Sequence, residues 1–282
     1  MGIVVNTNVS SILVQRSLNT ATNAVSRSLE KLSTGYRINR AADDAAGLTI
    51  SEALKSQARG SAVAAANAQA GVNLLQTAEG DLAVIQDNLQ RIRDLAVQAA
   101  NGTNASTERD AIKSEVSQRV SEINRIANSS SFNAIKLLDG SQTTVSLQIG
   151  ANYDSANLSL NSLTIGSPLA AADASTLGIN DDLTASFASS TAAASYISAV
   201  DTAIATISTR RSTIGSLQNR LESTIQSLAI KGENMAASES RIRDVDVAKE
   251  AAQLTKGQIL QQASASLLAQ ANQAPSIALS LI

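Results

Sequence analysis

Apolar positions along this chain recur at alternating spacings of three and four. Leu75, Ala78, Leu82, Ile85, Leu89, Ile92, Ala96 and Ala99 form one such row. It is an a/d heptad pattern, and it predicts a helix with one face committed to partner helices. Asn101-Gly102 is its predicted stop. A second helix is expected from about "STERD" (106–110), with Ser106 or Thr107 as cap and acids in the first turn. Its row runs through Ile112, Val116, Val120, Ile123 and Ala127, and the polar run Asn128 to Ser131 ends it. The spacing returns at Ile197, Val200, Ile204, Ile207, Arg211, Ile214, Gln218, Leu221, Ile225 and Leu228. Arg211 and Gln218 interrupt that row, and polar seam residues of this kind fix helix register at some cost in stability.

The two ends of the chain read as partners. Leu18, Val25 and Leu32 recur every seven residues, with Thr22, Leu29 and Tyr36 as the adjacent row. Leu260, Leu267, Ala274 and Leu281 do the same near the other end, with Leu268 beside them. Neither stripe can be buried by its own helix, so pairing of the two is expected. Residues 257–282 hold no charged side chain but carry five Gln and one Asn. That polar content, and the lack of any mostly apolar run of 18 or more residues, argues against a membrane span.

Between the helical halves the texture changes. "TTVSLQIGANYDSANLSLNSLTIG" (143–166) alternates at Val145, Leu147 and Ile149 and again at Leu158 and Leu160, which predicts a β-hairpin. Residues 167–193, rich in Ala, Ser, Thr and Asp, read as loop and short structure. The expected organisation is nested: residues 1–44 a terminal helix, 45–140 the first part of a helical rod, 141–194 a short insert, 195–236 the second rod part and 237–282 the other terminal helix. The fold class is therefore mainly α, a long antiparallel coiled-coil rod of paired N- and C-terminal segments with a small β-hairpin insert at the tip.

Composition narrows the chemistry. Aromatics are 2% of the 282 residues, which suits thin, side-by-side helices better than a thick core. Two prolines leave long helices unbroken. There is no Cys and no His, so disulfides, thiolate chemistry, imidazole zinc ligands and Ser-His-Asp triads are excluded. The reading is of a non-enzyme without cofactor or metal. A net charge of −2 supplies no basic field for nucleic acid. The adjacent carboxylates Asp43-Asp44 read as a helix N-terminus rather than an acid/base pair, because neighbours in sequence point apart on a helix. The N-terminus lacks the basic start and long apolar run of a signal peptide.

Several longer segments carry a resemblance. "LSTGYRINRAADDAAGLTIS" (32–51) and "QTAEGDLAVIQDNLQRIRDLAVQAANGTN" (76–104) closely resemble the N-terminal signature of bacterial flagellins. "SLQIGAN" (146–152), "IGSLQNRLESTIQSL" (214–228) and "LTKGQILQQASASLLAQANQAPSIALSLI" (254–282) are similar to later segments of that family, in the same order. The resemblance spans about residues 1–150 and 195–282. It implies a subunit of the extracellular flagellar filament, exported through the flagellar secretion channel without a cleaved signal, and assembling with many copies of itself. The terminal helices, with Leu18, Val25, Leu29, Leu32, Leu260, Leu267, Leu268 and Leu281, would carry polymerisation. Cap and hook-junction proteins would meet the polymer, and a cytoplasmic export chaperone would hold the C-terminal helix. Arg91, Leu95 and Glu115 match the family's rod contact face, which is also the patch read by the host toll-like receptor for flagellin. Flagellins are often modified on exposed Ser or Thr of the insert, which makes Ser189, Ser190 and Thr191 glycosylation candidates. The alternative within the class is a hook–filament junction protein, which shares the terminal helices. A flagellin-like surface adhesin is a weaker alternative, since the insert offers few aromatic platforms for sugars.

Overall fold

Helical periodicity dominates the computed structural model, which describes residues 7–142, 144–152, 161–179 and 183–279. The elements in order are α1 (Val9–Thr34), α2 (Ala45–Ala100), α3 (Ser106–Ser129), β1 (Ser131–Phe132), β2 (Ile135–Lys136), β3 (Val145–Gln148), β4 (Ser162–Ile165), a 3-10 turn (Ser167–Leu169), α4 (Leu183–Ser186), α5 (Ser190–Arg243) and α6 (Val247–Leu279). The protein is mainly α, with paired helices and a small β-hairpin. It divides into two compact units, Met1–Ser56 with Asn234–Ile282, and Gln57–Glu233.

In the first unit α1 lies antiparallel to α6. Asn8 caps α1 by accepting from the Ser11 N–H at 3.0 Å. The helix ends at Gly35, whose φ of 76° a residue with a Cβ adopts only under strain. Beyond it the chain pairs briefly with the α5–α6 connection: the Arg37 N–H donates to the Arg243 carbonyl and the Val245 N–H to that of Gly35. Arg243 lies 4.6 Å from the centre of the Tyr36 ring and 2.6 Å from Glu52. Asp44 caps α2, accepting from the Gly47 N–H at 2.9 Å, while Asp43 accepts from the N–H groups of Arg40 and Asn39. The adjacent carboxylates thus serve a helix cap and a turn, and those backbone donors, Arg40 foremost, hold the Asp43 carboxyl below the usual range.

The second unit is built on α2, with α3 and α5 both running antiparallel to it. The predicted row from Leu75 to Ala99 is buried throughout and meets Val116, Val120 and Ile123 of α3 and Val200, Ile207, Ile214 and Leu221 of α5. Each large side chain so buried contributes about 1.5–3 kcal/mol. The two polar interruptions of the α5 row find partners on α2. Gln218 donates to Glu79 at 3.1 Å and Arg211 to Gln86 at 2.7 Å. One expected detail fails: the N-cap of α3 is Ala105, without a side-chain bond, and Ser106 is already helical. Arg109 takes over part of the local bonding, donating to the Asn104 carbonyl at 2.7 Å.

The insert is better packed than its composition suggests. β3 pairs antiparallel with β4, Val145 opposite Ile165 and Gln148 opposite Ser162. The returning strand is therefore Ser162–Ile165; Leu158 and Leu160, expected to form it, lie outside the described residues. Leu163 and Ile165 of β4 are buried with the main core, together with Leu138, Leu169, Ile179 and Phe187. Phe187 meets Tyr196 edge-on at 5.4 Å, and the Tyr196 hydroxyl donates to the Ile179 carbonyl at 2.8 Å. These two of the few aromatics thus anchor the segment read as loop onto α5, which itself begins at Ser190.

Candidate assembly surface

The face that α1 turns to α6 is made of Ser11, Val14, Leu18, Ala21, Val25, Ser28 and Leu32, alternating by three and four. The facing row on α6 is Glu250, Leu254, Gly257, Gln261, Ser264, Leu268 and Ala271. Four cross-links fix the antiparallel register: Ser28 to Glu250 at 2.6 Å, Gln261 to Thr22 at 3.2 Å, Asn8 to the Ala271 carbonyl at 2.7 Å and Ser11 to Asn272 at 2.8 Å. Small residues line much of this seam. A Cβ added at Gly257 would sit 2.9 Å from Val25 Cγ2, so the close approach of the helices requires glycine there.

This corrects the expected pairing. Leu18, Val25 and Leu32 face α6 as predicted, and Leu268 lies in the seam. Leu260 and Leu267 do not; they are 49% and 53% exposed. Leu260 follows Gly257 by three residues, roughly 60° short of a full turn, so the leucine row runs along the edge of the seam. Leu29 is likewise exposed, Tyr36 lies beyond the end of α1, and Leu281 with the side chain of Ala274 lies outside the described residues. Apolarity drew the sequence reading to the leucines. The sevenfold recurrence of Glu250, Gly257, Ser264 and Ala271 was the signal of a close-packed seam.

Large apolar side chains are consequently left on the outside of the pair. Val9, Ile12, Leu13 and Leu29 project from α1, and Val247, Ile259, Leu260 and Leu267 from α6. From Gly257 onward α6 carries no charge. Exposed apolar side chains in this number on one helix pair point to an interaction face. Among the described residues no helix is long and apolar enough to cross a membrane, and no cluster of acidic side chains could hold a metal ion.

In the second unit, Arg91 and Glu115 form an exposed ion pair between α2 and α3 at 2.9 Å. Leu95, expected beside them, is only 2% exposed and belongs to the core. It stands next to the predicted row at Ile92 and Ala96, and a three-helix core buries a stripe wide enough to include it. Arg93 pairs with Asp201 of α5 at 2.6 Å. Ser189 caps α5, its Oγ accepting from the Ala192 N–H at 3.1 Å. Ser190 opens the helix, and Thr191 in its first turn is exposed.

A helical protein with apolar rows left on its outer faces is a structural protein that other helices complete. Residues 5–143 match the model of the bacterial flagellin N-terminal helical region, and residues 197–282 that of the C-terminal helical region. The chain is 44% identical over 285 residues to a flagellin of Halalkalibacterium halodurans, covering 99% of both chains. It is 43% identical over 296 residues to the flagellar filament 33 kDa core protein of Treponema phagedenis, again covering 99% of both. A solved structure of a putative flagellar hook-associated protein from Vibrio parahaemolyticus superposes with a TM-score of 0.59 over 72% of this chain and 100% of that one; at 14% identity the likeness concerns the fold alone. The chain belongs to the bacterial flagellin family. It is a structural subunit that self-assembles into the extracellular flagellar filament for motility.

Proposed function

We propose that the α1–α6 pair is the polymerisation element and that its exposed rows, Ile12, Leu13 and Leu29 with Ile259, Leu260 and Leu267, are buried between copies. The observation that carries this is the division of labour on α6. Glu250, Gly257, Gln261 and Ser264, with Leu254 and Leu268, serve the pairing within the chain, and Ile259, Leu260 and Leu267 are left over on an uncharged stretch. Burying each leucine or isoleucine contributes about 1.5–3 kcal/mol. Ordering costs of about 1–2 kcal/mol per residue require many such contacts at once, so growth is cooperative and starts from an existing end. Heterologous contacts that do not close generate a helical fibre.

In this reading residues 1–44 and 237–282 form the inner part of the filament, and 45–140 with 195–236 the surrounding rod. Residues 141–194 form the outward insert, with Thr191 and the neighbouring Ser189 and Ser190 as the modification candidates. Arg91 and Glu115 contact the next subunit, with Leu95 holding their helix in place from behind. In free subunits the same face is available to an innate receptor. The chain leaves the cell through the flagellar channel. Before export, a chaperone groove covers the apolar row of α6, as amphipathic helices are generally held. Hook-junction and cap proteins contact the ends of the polymer. The test is to purify the chain, seed it with short filament fragments and image the product. Deletion from Gln258 onward should leave a folded second unit that stays monomeric. A full-length chain that stays monomeric at every salt concentration, or a deletion that still forms filaments, refutes the reading.

A further inference from the structure

Asn101-Gly102, which follows the last residue of α2, is the only Asn-Gly step in the chain. Both residues are exposed in the turn between α2 and α3. A Cβ built on Gly102 would meet nothing within 4 Å, so the space around that residue is open. The Asn101 Oδ1 accepts from the Thr103 N–H at 3.3 Å, the local bond by which an Asn side chain turns back on its own backbone. Among the described residues no oxygen accepts from the Gly102 N–H. The side-chain amide of Asn101 and the next main-chain nitrogen are therefore neighbours in open solvent, and that nitrogen is committed to no acceptor.

We propose that Asn101 is a site of spontaneous deamidation. The Gly102 nitrogen gives its proton to hydroxide and adds to Cγ of Asn101. The Thr103 N–H, already bonded to Oδ1, is aimed at the oxygen that gains charge in that step. The bond from Cγ to Nδ2 then breaks, the nitrogen takes a proton from water and leaves as ammonia, and a succinimide ring remains. Water opens the ring at either carbonyl, giving aspartate or isoaspartate. The net change is one water consumed and one ammonia released, with no oxidation or reduction. Glycine matters at 102 because a Cβ there would shield the nitrogen and narrow the backbone angles open to it. Neighbouring asparagines lack this combination. Asn104 is followed by Ala105, and its Nδ2 is tied to the Gln98 carbonyl at 2.6 Å. Asn128 and Ser129 lie within α3, where main-chain nitrogens donate along the helix. The product puts a carboxylate at the C-terminal end of α2, where the helix dipole disfavours it. Isoaspartate also lengthens the main chain by a methylene, which shifts the Asn101 carbonyl that accepts from the Asn104 N–H at 3.2 Å. The turn joining α2 to α3 is thereby loosened, whichever helices carry assembly.

The test is to hold the native full-length chain at mildly alkaline pH, digest samples with trypsin over time and map the peptides by mass. Cleavage after Arg93 and Arg109 releases residues 94–109, and cleavage after Arg125 and Lys136 releases 126–136, which carries Asn128 and Asn133. A mass gain of about one dalton is expected in 94–109, placed at position 101 by fragmentation, and roughly tenfold or more faster than any gain in 126–136. Protein isoaspartyl methyltransferase should label the same peptide. A synthetic peptide of residues 94–109 gives the rate without the fold, and because the turn is exposed the native chain should react within about tenfold of it. Gly102→Ala should slow the native reaction roughly tenfold or more. The proposal is overturned by no gain at position 101, by a gain no faster than that in 126–136, by a native rate further below the peptide's than that margin, or by an unchanged rate in Gly102→Ala.

Discussion

Ser28→Ala removes one hydroxyl from the seam of the terminal pair, and its effect can be worked out from the bond it breaks. Glu250 is 8% exposed, and its Oε1 accepts from Ser28 Oγ at 2.6 Å. A buried hydrogen bond to a charged acceptor contributes about 1.5–3 kcal/mol, because without it the carboxylate stays buried after losing that donor. Alanine returns about 0.5 kcal/mol through its higher helix propensity. The net loss is about 1–2.5 kcal/mol. It should appear as amide hydrogen exchange in α1 and α6 of the monomer that is roughly five- to seventyfold faster. Glu250→Leu removes the charge itself, at the cost of the favourable acid in the first turn of α6, about 0.3–1 kcal/mol. With leucine at 250 no buried carboxylate needs a donor, so adding Ser28→Ala should then cost almost nothing. The cycle of wild type, two single variants and the double variant isolates the coupling. Unchanged exchange in Ser28→Ala, or an equal loss in both backgrounds, would refute the reasoning.

Other outcomes follow from the same structure. Gly257→Ala should loosen the terminal pair, because its methyl group meets the stiff Val25 side chain at 2.9 Å; overpacking of about 1–3 kcal/mol outweighs a propensity gain of about 1 kcal/mol. Gly80→Ala, where a Cβ meets nothing within 4 Å, should instead raise stability to urea by about 1 kcal/mol. Leu267→Asp should leave the monomer's stability within about 0.5 kcal/mol of wild type, since the side chain is exposed, while abolishing seeded growth measured by light scattering. Asp43 and Asp139 have folded-state pKa values below their unfolded ones, through the N–H groups of Arg40 and Asn39 and through the Ser141 hydroxyl and N–H. Their stabilisation is therefore complete above the ordinary carboxylate range and is lost as pH falls through it to the folded values. Asp43→Asn with Asp139→Asn should flatten that acid limb in a urea titration repeated across pH.

What the sequence determined by itself was the helices and the faces of the second unit. The row from Leu75 to Ala99, the stop at Asn101-Gly102 and the matching rows of α3 and α5 were legible because water-excluded positions on a helix must repeat at its period, whatever packs against them. The flagellin segments were legible for a different reason, as matches of order and spacing along most of the chain. The terminal seam was not, because a row of leucines and a row of small residues both repeat every seven, and hydrophobicity alone ranks the leucines first. Tertiary structure decided between them. At Gly257 the two helices come too close for a Cβ, so Gly257 and Ser264 went inward there, flanked by Leu254 and Leu268, and Leu260 and Leu267 stayed out. The same holds for Leu95, which the width of a three-helix core buries although its neighbours Arg91 and Asp94 are exposed. In the insert, burial of Leu163, Ile165, Ile179 and Phe187 depends on contacts with helices far away in sequence, which no local pattern records. Periodicity says which residues share a face; only the partner's shape says which face is covered within the chain and which is left for the next copy.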